Sequence, residues 1–124
     1  MLDGRKVSKV TNSRNKGVDG ELELAKRLRE CGFDARRGQQ FSGGADSPDV
    51  VSNDLAAFHI ECKRVERTLL YEWLDQATRD AGPDKVPVVM HRRSRKPWVV
   101  ILTLEDFLTL VRQTEIVSLL QPTE

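Results

Sequence analysis

Two short strings of this chain carry side chains that could perform hydrolytic chemistry. Asp49 follows Pro48 and precedes the apolar pair Val50-Val51, while Glu61 and Lys63 stand two residues apart. Two carboxylates that converge on one point repel each other unless a proton or a hard divalent cation lies between them. A lysine beside such a cation can hold a water molecule or stabilise charge on a phosphate oxygen. These residue types therefore predict a metal-dependent hydrolytic site.

The second string lies in residues 58–65, where alternating apolar and polar residues predict a β-strand. Side chains of a strand alternate between its two faces. The face assigned to the core carries Phe58, Ile60 and Cys62. The opposite face carries His59, Glu61 and Lys63. Asp49 should come from the preceding strand, and it is preferred to Asp46 because the two valines that follow it anchor it there.

Glu21 is the third acidic residue that the pattern singles out. A helix is predicted from Asn15 or Lys16 to Cys31, with Gly32 as its stop. Glu21 falls inside the apolar stripe of this helix, where a carboxylate has to be paired, protonated or bound to metal. Two interpretations stay open: an internal ion pair with an arginine, or a third acidic member of the metal site that acts through water.

The remaining periodicity completes an α/β layout. Residues 33–41 predict an irregular edge strand, and residues 69–81 predict a second helix. Residues 86–90 and 98–102 are apolar enough for strands that are buried on both faces. The core stripe of the second helix is predicted as Leu70, Leu74, Ala77 and Ala81, with Trp73 along a neighbouring edge. Thr103 with Asp106 predicts the N-cap of a last helix.

The combination of these strings resembles the PD-(D/E)xK nuclease superfamily, and the wider pattern resembles Holliday junction resolvases of archaeal and phage type. The resemblance covers residues 14–110. It is carried by Lys16-Gly17, Glu21, Gly32-Phe33, Arg37, Ser42-Gly43-Gly44, Pro48-Asp49 and Glu61-Cys62-Lys63. It implies a restriction-endonuclease-like core, a central mixed five-stranded sheet flanked by helices in the order α-β-β-β-α-β-β-α.

The resemblance also implies the metal and its ligands. Mg²⁺, with Mn²⁺ able to substitute, would be held by Asp49, Glu61 and the backbone carbonyl of Cys62. Glu21 would stand in the inner or outer shell of the ion. Lys63 would orient and help activate the attacking water, and hydrolysis would leave 5′ phosphates.

Basic, small and amide residues are expected to contact the DNA backbone. The basic loop over residues 91–97 could contact phosphates or could simply be a solvated surface. Gln76 could likewise approach the site or face solvent. Arg36 and Arg37 fall on opposite faces of their strand, and the resemblance favours Arg37. The expected contacts are Lys16, Arg37, Ser42, Gly43, Arg64, Gln76, Arg92, Arg93, Arg95 and Lys96.

The substrate implied is branched double-stranded DNA, cut by a homodimer with two sites during recombination or repair. Three alternatives stay open. The first is a related nuclease for flaps, nicks or duplex, and the second is a non-catalytic DNA-binding relative. The third is a structural α/β domain in which the motif is a coincidence. The apolar patch in residues 116–120 could pack on its own domain or form the dimer contact.

Composition bounds these expectations. The 124 residues suit one domain over residues 14–124, preceded by a flexible basic arm over residues 1–13. A net charge of +1 does not by itself indicate a nucleic-acid partner. Cys31 and Cys62 read as small buried hydrophobes in a reducing compartment. No apolar run approaches eighteen residues, so no membrane partner is expected. The expected location is the cytoplasm of a bacterial or archaeal cell, with a phage gene as one source, and no nucleotide cofactor is expected.

Overall fold

Three helices and five strands make up the described part of the chain. The computed structural model describes residues 4–38 and 48–114, with the side chains of the first helix described from residue 17 onward. The elements are α1 (Gly4–Glu30), β1 (Arg36–Arg37), β2 (Val50–Val51), β3 (Phe58–Arg64), α2 (Leu70–Ala81), β4 (Val86–Arg92), β5 (Val99–Ile101) and α3 (Leu104–Arg112). The predicted element order and the mixed five-stranded sheet are confirmed.

The sheet follows the chain in the order β1-β2-β3-β4-β5. Only β3 and β4 run parallel, and the other neighbouring pairs are antiparallel. Parallel neighbours need a long crossover, which α2 provides between these two strands. The β3–β4 pair therefore forms the centre of the sheet, with α1 on one face and α2 on the other.

The predicted faces of β3 are confirmed by its packing. Ile60 lies in a core cluster with Leu24 and Ala25 of α1, and Phe58 and Cys62 flank that cluster. On the opposite face, α2 buries three residues against Val89 of β4: Trp73, Leu74 and Ala77. Burial of apolar surface on both sides of one strand pair makes β3 a rigid base for the polar side chains that it carries.

The start of α1 differs from the prediction. The helix begins at Gly4 rather than at Asn15 or Lys16, so residues 4–13, predicted as a flexible arm, are helical. No proline interrupts this stretch, and extending an existing helix requires no new nucleation. The helix ends at Glu30, and Gly32 takes a φ of 95° after it, a conformation that glycine adopts at little cost.

The predicted burial of β5 is wrong. Val99 is 44% exposed and Val100 is 55% exposed. β5 forms the edge of the sheet within the described residues, and no residue of α3 is buried. An apolar run cannot by itself distinguish a central strand from an edge strand.

Smaller corrections concern single residues. Leu70 of α2 is exposed whereas Trp73 is buried, so the core stripe of this helix is rotated toward the tryptophan. His91 belongs to β4 rather than to the basic loop. Cys31 is exposed, although Cys62 is half-buried as expected for the core face. The N-cap at Thr103 is confirmed, because its hydroxyl accepts a hydrogen bond from the Asp106 N–H.

Candidate metal centre

Asp49 is held above β3 by two hydrogen bonds. It directly precedes β2, whose Val50 pairs with Ile60 of β3. The Asp49 N–H donates to the Ile60 carbonyl at 3.0 Å, and its Oδ2 accepts from the Cys62 N–H at 2.8 Å. The carboxylate thus takes the acceptor position that a backbone carbonyl would hold if the antiparallel pairing continued.

The carboxyl groups of Asp49 and Glu61 approach each other at this point, close enough for Glu61 to raise the pKa of Asp49. Burial, followed by the negative charge of Glu61, raises the pKa of Asp49 from 3.8 to about 7. The hydrogen bond from the Cys62 N–H opposes this rise, and the charge of Glu21 adds to it. A carboxyl that retains a proton near neutrality beside a second carboxyl occupies a place where a divalent cation would relieve the repulsion.

The carbonyl of Cys62 is a third oxygen on the same side. The N–H and C=O of one strand residue point toward the same edge of the strand. Because the Cys62 N–H donates to Asp49, its carbonyl also faces the Asp49 side of β3. Burial raises the pKa of the Cys62 thiol above its ordinary value, and that thiol lies on the α1 face. The residues present therefore fit a hard cation that binds oxygen, with the thiol held away as a neutral core group.

Glu21 both forms an ion pair with an arginine and lies near the acidic site, the two interpretations that its sequence position left open. Its Oε1 accepts a hydrogen bond from the Arg37 Nε at 2.7 Å, and its side chain is 15% exposed. At the same time its charge raises the pKa of Asp49. The ion pair with arginine is present, and Glu21 also lies within electrostatic reach of Asp49. Arg37, rather than Arg36, contacts this group.

A cleft of about 750 Å³ opens beside these groups, between α1 and the end of β3. Lys63 lies along it, and its positive charge acts on Cys62. Within residues 17–38 and 48–114, the Lys63 ammonium makes no hydrogen bond or ion pair. Asp49 and Glu61 are not among the residues that line this cleft, which are Gly17, Asp19, Gly20, Glu21, Glu23, Cys62, Lys63, Arg64, Val65, Glu66 and Ser94.

Gly20 permits the close approach of α1 to this end of β3. A Cβ at Gly20 would come within 2.6 Å of the Arg64 Cβ. The residue is buried inside the helix, and α1 begins sixteen residues earlier at Gly4. Gly17 and Gly20 therefore lie inside α1, where the backbone N–H groups serve the hydrogen bonds of the helix itself.

Besides Arg37, two further arginines predicted to contact DNA are engaged within the chain: Arg64 and Arg92. The Glu23 carboxylate accepts hydrogen bonds from the Arg92 Nη1 at 2.6 Å and from the Arg64 Nε at 3.1 Å. The Glu66 carboxylate accepts hydrogen bonds from the Arg64 Nη1 and from both the N–H and the hydroxyl of Ser94. The sequence analysis assigned Glu23 no role, because partners that are 41 and 69 residues away leave no local pattern.

The other predicted DNA contacts are less fully placed. Arg93, Arg95 and Lys96 are exposed in the turn after β4, and Gln76 is half-buried on α2. Lys16 belongs to α1, although its side chain is not described. Ser42 and Gly43 lie outside the described residues, as does the apolar patch at residues 116–120. The structure thus brings the three predicted acidic residues together, whereas the predicted DNA contacts are spread over several elements.

His59 and Asp80 are further neighbours of the site that the sequence analysis did not assign. The Nε2 of His59 lies 2.7 Å from the Oε1 of Glu61, and both residues are buried. A carboxylate oxygen of Asp80 lies within 4.8 Å of both groups. The alternation of β3 already placed His59 beside Glu61, but the contribution of Asp80 depends on how α2 docks.

Comparison with known proteins gives one match. A family model described as phage putative PDDEXK endonuclease matches residues 12–120. We found no significant match among curated proteins or among solved structures. None of the helices in the described ranges combines the length and the apolar content that crossing a membrane requires.

Proposed function

This chain belongs to the phage putative PDDEXK endonuclease family, and we propose that it is a metal-dependent endonuclease that resolves four-way junctions in double-stranded DNA. The observation that carries the proposal is the meeting of the Asp49 and Glu61 carboxyls beside the backbone of Cys62. Two acidic groups from separate strands share one place there, and Lys63 follows on the same strand.

Asp49, Glu61 and the Cys62 carbonyl are proposed to hold Mg²⁺, with Mn²⁺ as a substitute. When bound, this cation supplies positive charge that polarises a phosphate and lowers the pKa of a coordinated water. Carboxylate and carbonyl oxygens are the ligands that both ions accept. The proton that Asp49 retains near neutrality has to leave when the site is loaded.

Lys63 is proposed to orient the attacking water and to stabilise charge on the phosphate. The residue is half-buried along the cleft that Glu21 also lines, and its ammonium makes no hydrogen bond or ion pair with the described residues. Glu21 is proposed to act in the outer shell, because Arg37 already holds one of its oxygens. Arg37 in turn is placed where it could contact the DNA backbone at the mouth of the site, a contact that positions the substrate without reading its sequence.

A junction is the proposed substrate because the resemblance to resolvases extends to Lys16-Gly17, Glu21 and Arg37, beyond the two central motifs. Cutting two opposed strands requires two sites, so a homodimer is proposed. The exposed apolar side chains of β5 and α3 support such a contact, with Val100 55% and Phe107 51% exposed. The protein would act in the cytoplasm of the host cell, without a nucleotide cofactor, and hydrolysis would leave 5′ phosphates.

The test compares a labelled four-way junction with a linear duplex of the same sequence. We expect symmetric cleavage of the junction with Mg²⁺ or Mn²⁺, no cleavage with EDTA, and little cleavage of the duplex. Asp49→Asn and Lys63→Ala should both remove cleavage. Equal cutting of both substrates would refute the junction preference while leaving a nuclease, and metal-dependent binding without cleavage by the wild type would refute hydrolysis.

A further inference from the structure

We propose that His59 is the positioning residue of Glu61 and that it sets the affinity of the site for a divalent cation. This inference rests on the proposed function, since it assumes that Glu61 is a metal ligand. His59 stands two residues before Glu61 on β3, so both side chains project from the same face of the strand toward α2.

The contact between His59 and Glu61 is short and shielded from solvent. The His59 Nε2 and the Glu61 Oε1 are 2.7 Å apart, and the side chains are 2% and 5% exposed. A carboxylate can only accept a hydrogen bond, so Nε2 carries the proton that is donated. With almost no solvent at either group, water cannot replace this bond if it is lost.

The bond restricts how Glu61 can meet a cation. Its Oε1 is directed at the imidazole, while the same carboxyl interacts electrostatically with that of Asp49. His59 therefore fixes the plane of the carboxyl and leaves the remaining lone pairs for the shared place beside Asp49. Residues that orient a metal ligand in this way commonly alter metal affinity by about 10–100-fold when they are removed.

Asp80 of α2 adds a second acidic neighbour on the same face of the strand as His59 and Glu61. Its carboxylate lies on α2, half-buried, within 4.8 Å of the His59 ring nitrogen and the Glu61 oxygen. A carboxylate close to an imidazole favours a fixed ring orientation. Asp80 therefore adds a negative charge close to the pair formed by His59 and Glu61.

The test measures Mn²⁺ binding by isothermal titration calorimetry on the full chain without DNA. His59→Ala should weaken binding by about 10–100-fold. His59→Gln supplies an amide N–H that can reach the same oxygen, and it should restore affinity to within about threefold of the wild type, which a purely structural role would not predict. Asp80→Asn should weaken binding by less than His59→Ala.

His91→Ala is the matched control. His91 is also buried, on the neighbouring strand β4, but its Nε2 donates to the Val65 carbonyl and its ring packs against Trp73. This variant should lose thermal stability and keep the Mn²⁺ affinity of the wild type. Equal weakening in the His91 and His59 variants would attribute the effect to general loosening and overturn the proposal.

Other outcomes are equally decisive. Wild-type affinity in His59→Ala, or no Mn²⁺ binding by the wild-type chain, overturns the positioning role. Loss of one whole equivalent of Mn²⁺ in this variant, with the remaining equivalent at wild-type affinity, would instead make His59 the ligand of a separate site. If the chain binds Mn²⁺ through Asp49 but cuts no DNA, the nuclease proposal fails while the His59 result still stands.

Discussion

The carboxyl groups of Asp49 and Glu61 lie close enough to interact electrostatically, although Asp49 precedes β2 and Glu61 lies in the middle of β3. The strands place them there because β2 pairs with β3 only at Val50 and Ile60, and the Asp49 carboxylate then takes over the Cys62 N–H. The site is thus formed where a strand pairing ends. Its physical consequences can be measured independently of any substrate.

The first prediction concerns stability against pH in the metal-free protein. Burial and the charge of Glu61 raise the pKa of Asp49 from 3.8 to about 7, so between these values the folded state binds a proton that the unfolded state has released. This contribution is fully present below about pH 4 and is lost as the pH rises toward 7. We expect it to be on the order of 2 kcal/mol, after allowance for partial exposure.

Urea unfolding in EDTA at pH 4.5 and pH 7.5 measures this effect. Asp49→Asn should flatten the decline in the free energy of unfolding between the two pH values. Asp34→Asn is the control, because hydrogen bonds from the Asp54 N–H and Ser52 lower the pKa of Asp34 and its effect has the opposite sign. If the free energy of unfolding declined as steeply in Asp49→Asn as in the wild type, the assignment of the retained proton to Asp49 would be contradicted.

The second prediction is that cation binding releases this proton. Apparent Mg²⁺ and Mn²⁺ affinity should rise as the pH increases from 6 to 7, by up to about tenfold, and should level off above 7.5. Calorimetry in two buffers of different ionisation enthalpy counts the protons released. Affinity that does not depend on pH over this range would show that the cation does not compete with the proton at Asp49.

The third prediction separates Lys63 from metal binding. Lys63→Met should reduce the cleavage rate by about 10²–10⁴-fold at saturating metal, because it removes the group that orients water and stabilises charge. Mn²⁺ affinity should be retained or slightly increased, since a nearby positive charge is lost. Lys85→Met, in an exposed turn before β4, should leave cleavage unchanged. A variant of Lys63 with normal turnover would exclude the lysine from the chemistry.

The fourth prediction concerns Glu23, which pairs with Arg64 and Arg92. Glu23→Gln should lower the free energy of unfolding by roughly 1–2 kcal/mol, because charge-assisted hydrogen bonds to two arginines are weakened. It should also tighten DNA binding and steepen its salt dependence, because the arginines become available to phosphates. Glu30→Gln, at an exposed ion pair with Arg27, is the matched control. Weaker DNA binding by the Glu23 variant would contradict this account.

The fifth prediction tests the shell in which Glu21 acts. Arg37 holds its Oε1 at 2.7 Å, so Glu21→Gln should lower Mn²⁺ affinity by less than about tenfold, whereas Asp49→Asn should lower it much further. The same variant should lower the pKa of Asp49, because one negative charge is removed. A loss of affinity equal to that of Asp49→Asn would make Glu21 a direct ligand.

Local periodicity was sufficient for the centre of the fold. The alternation in β3 predicted which of its side chains enter the core and which face the site, and the Thr103 cap was readable from short-range chemistry. Glu21 is a charged residue within the apolar stripe of α1, which indicated that it needs a partner, and Arg37 is that partner. These features depend on contacts within one element, or on the free-energy cost of burying a single carboxylate without a partner.

Features that depend on docking between elements could not be predicted in this way. The pairing of Glu23 with Arg64 and Arg92 joins α1, β3 and β4, which are far apart in the chain. Asp80 approaches His59 only because of the rotation of α2 on the sheet. The exposure of β5 likewise follows from its place at the sheet edge, which an apolar run does not specify.

The most direct test of the central claim is the location of a bound ion. Crystals grown or soaked with Mn²⁺ should give an anomalous difference peak about 2.0–2.3 Å from carboxylate oxygens of both Asp49 and Glu61, since oxygen ligands bind divalent cations at this range. The Cys62 carbonyl should be a further ligand. A saturated crystal with no peak between Asp49 and Glu61, or with its peak at other residues, would contradict the account.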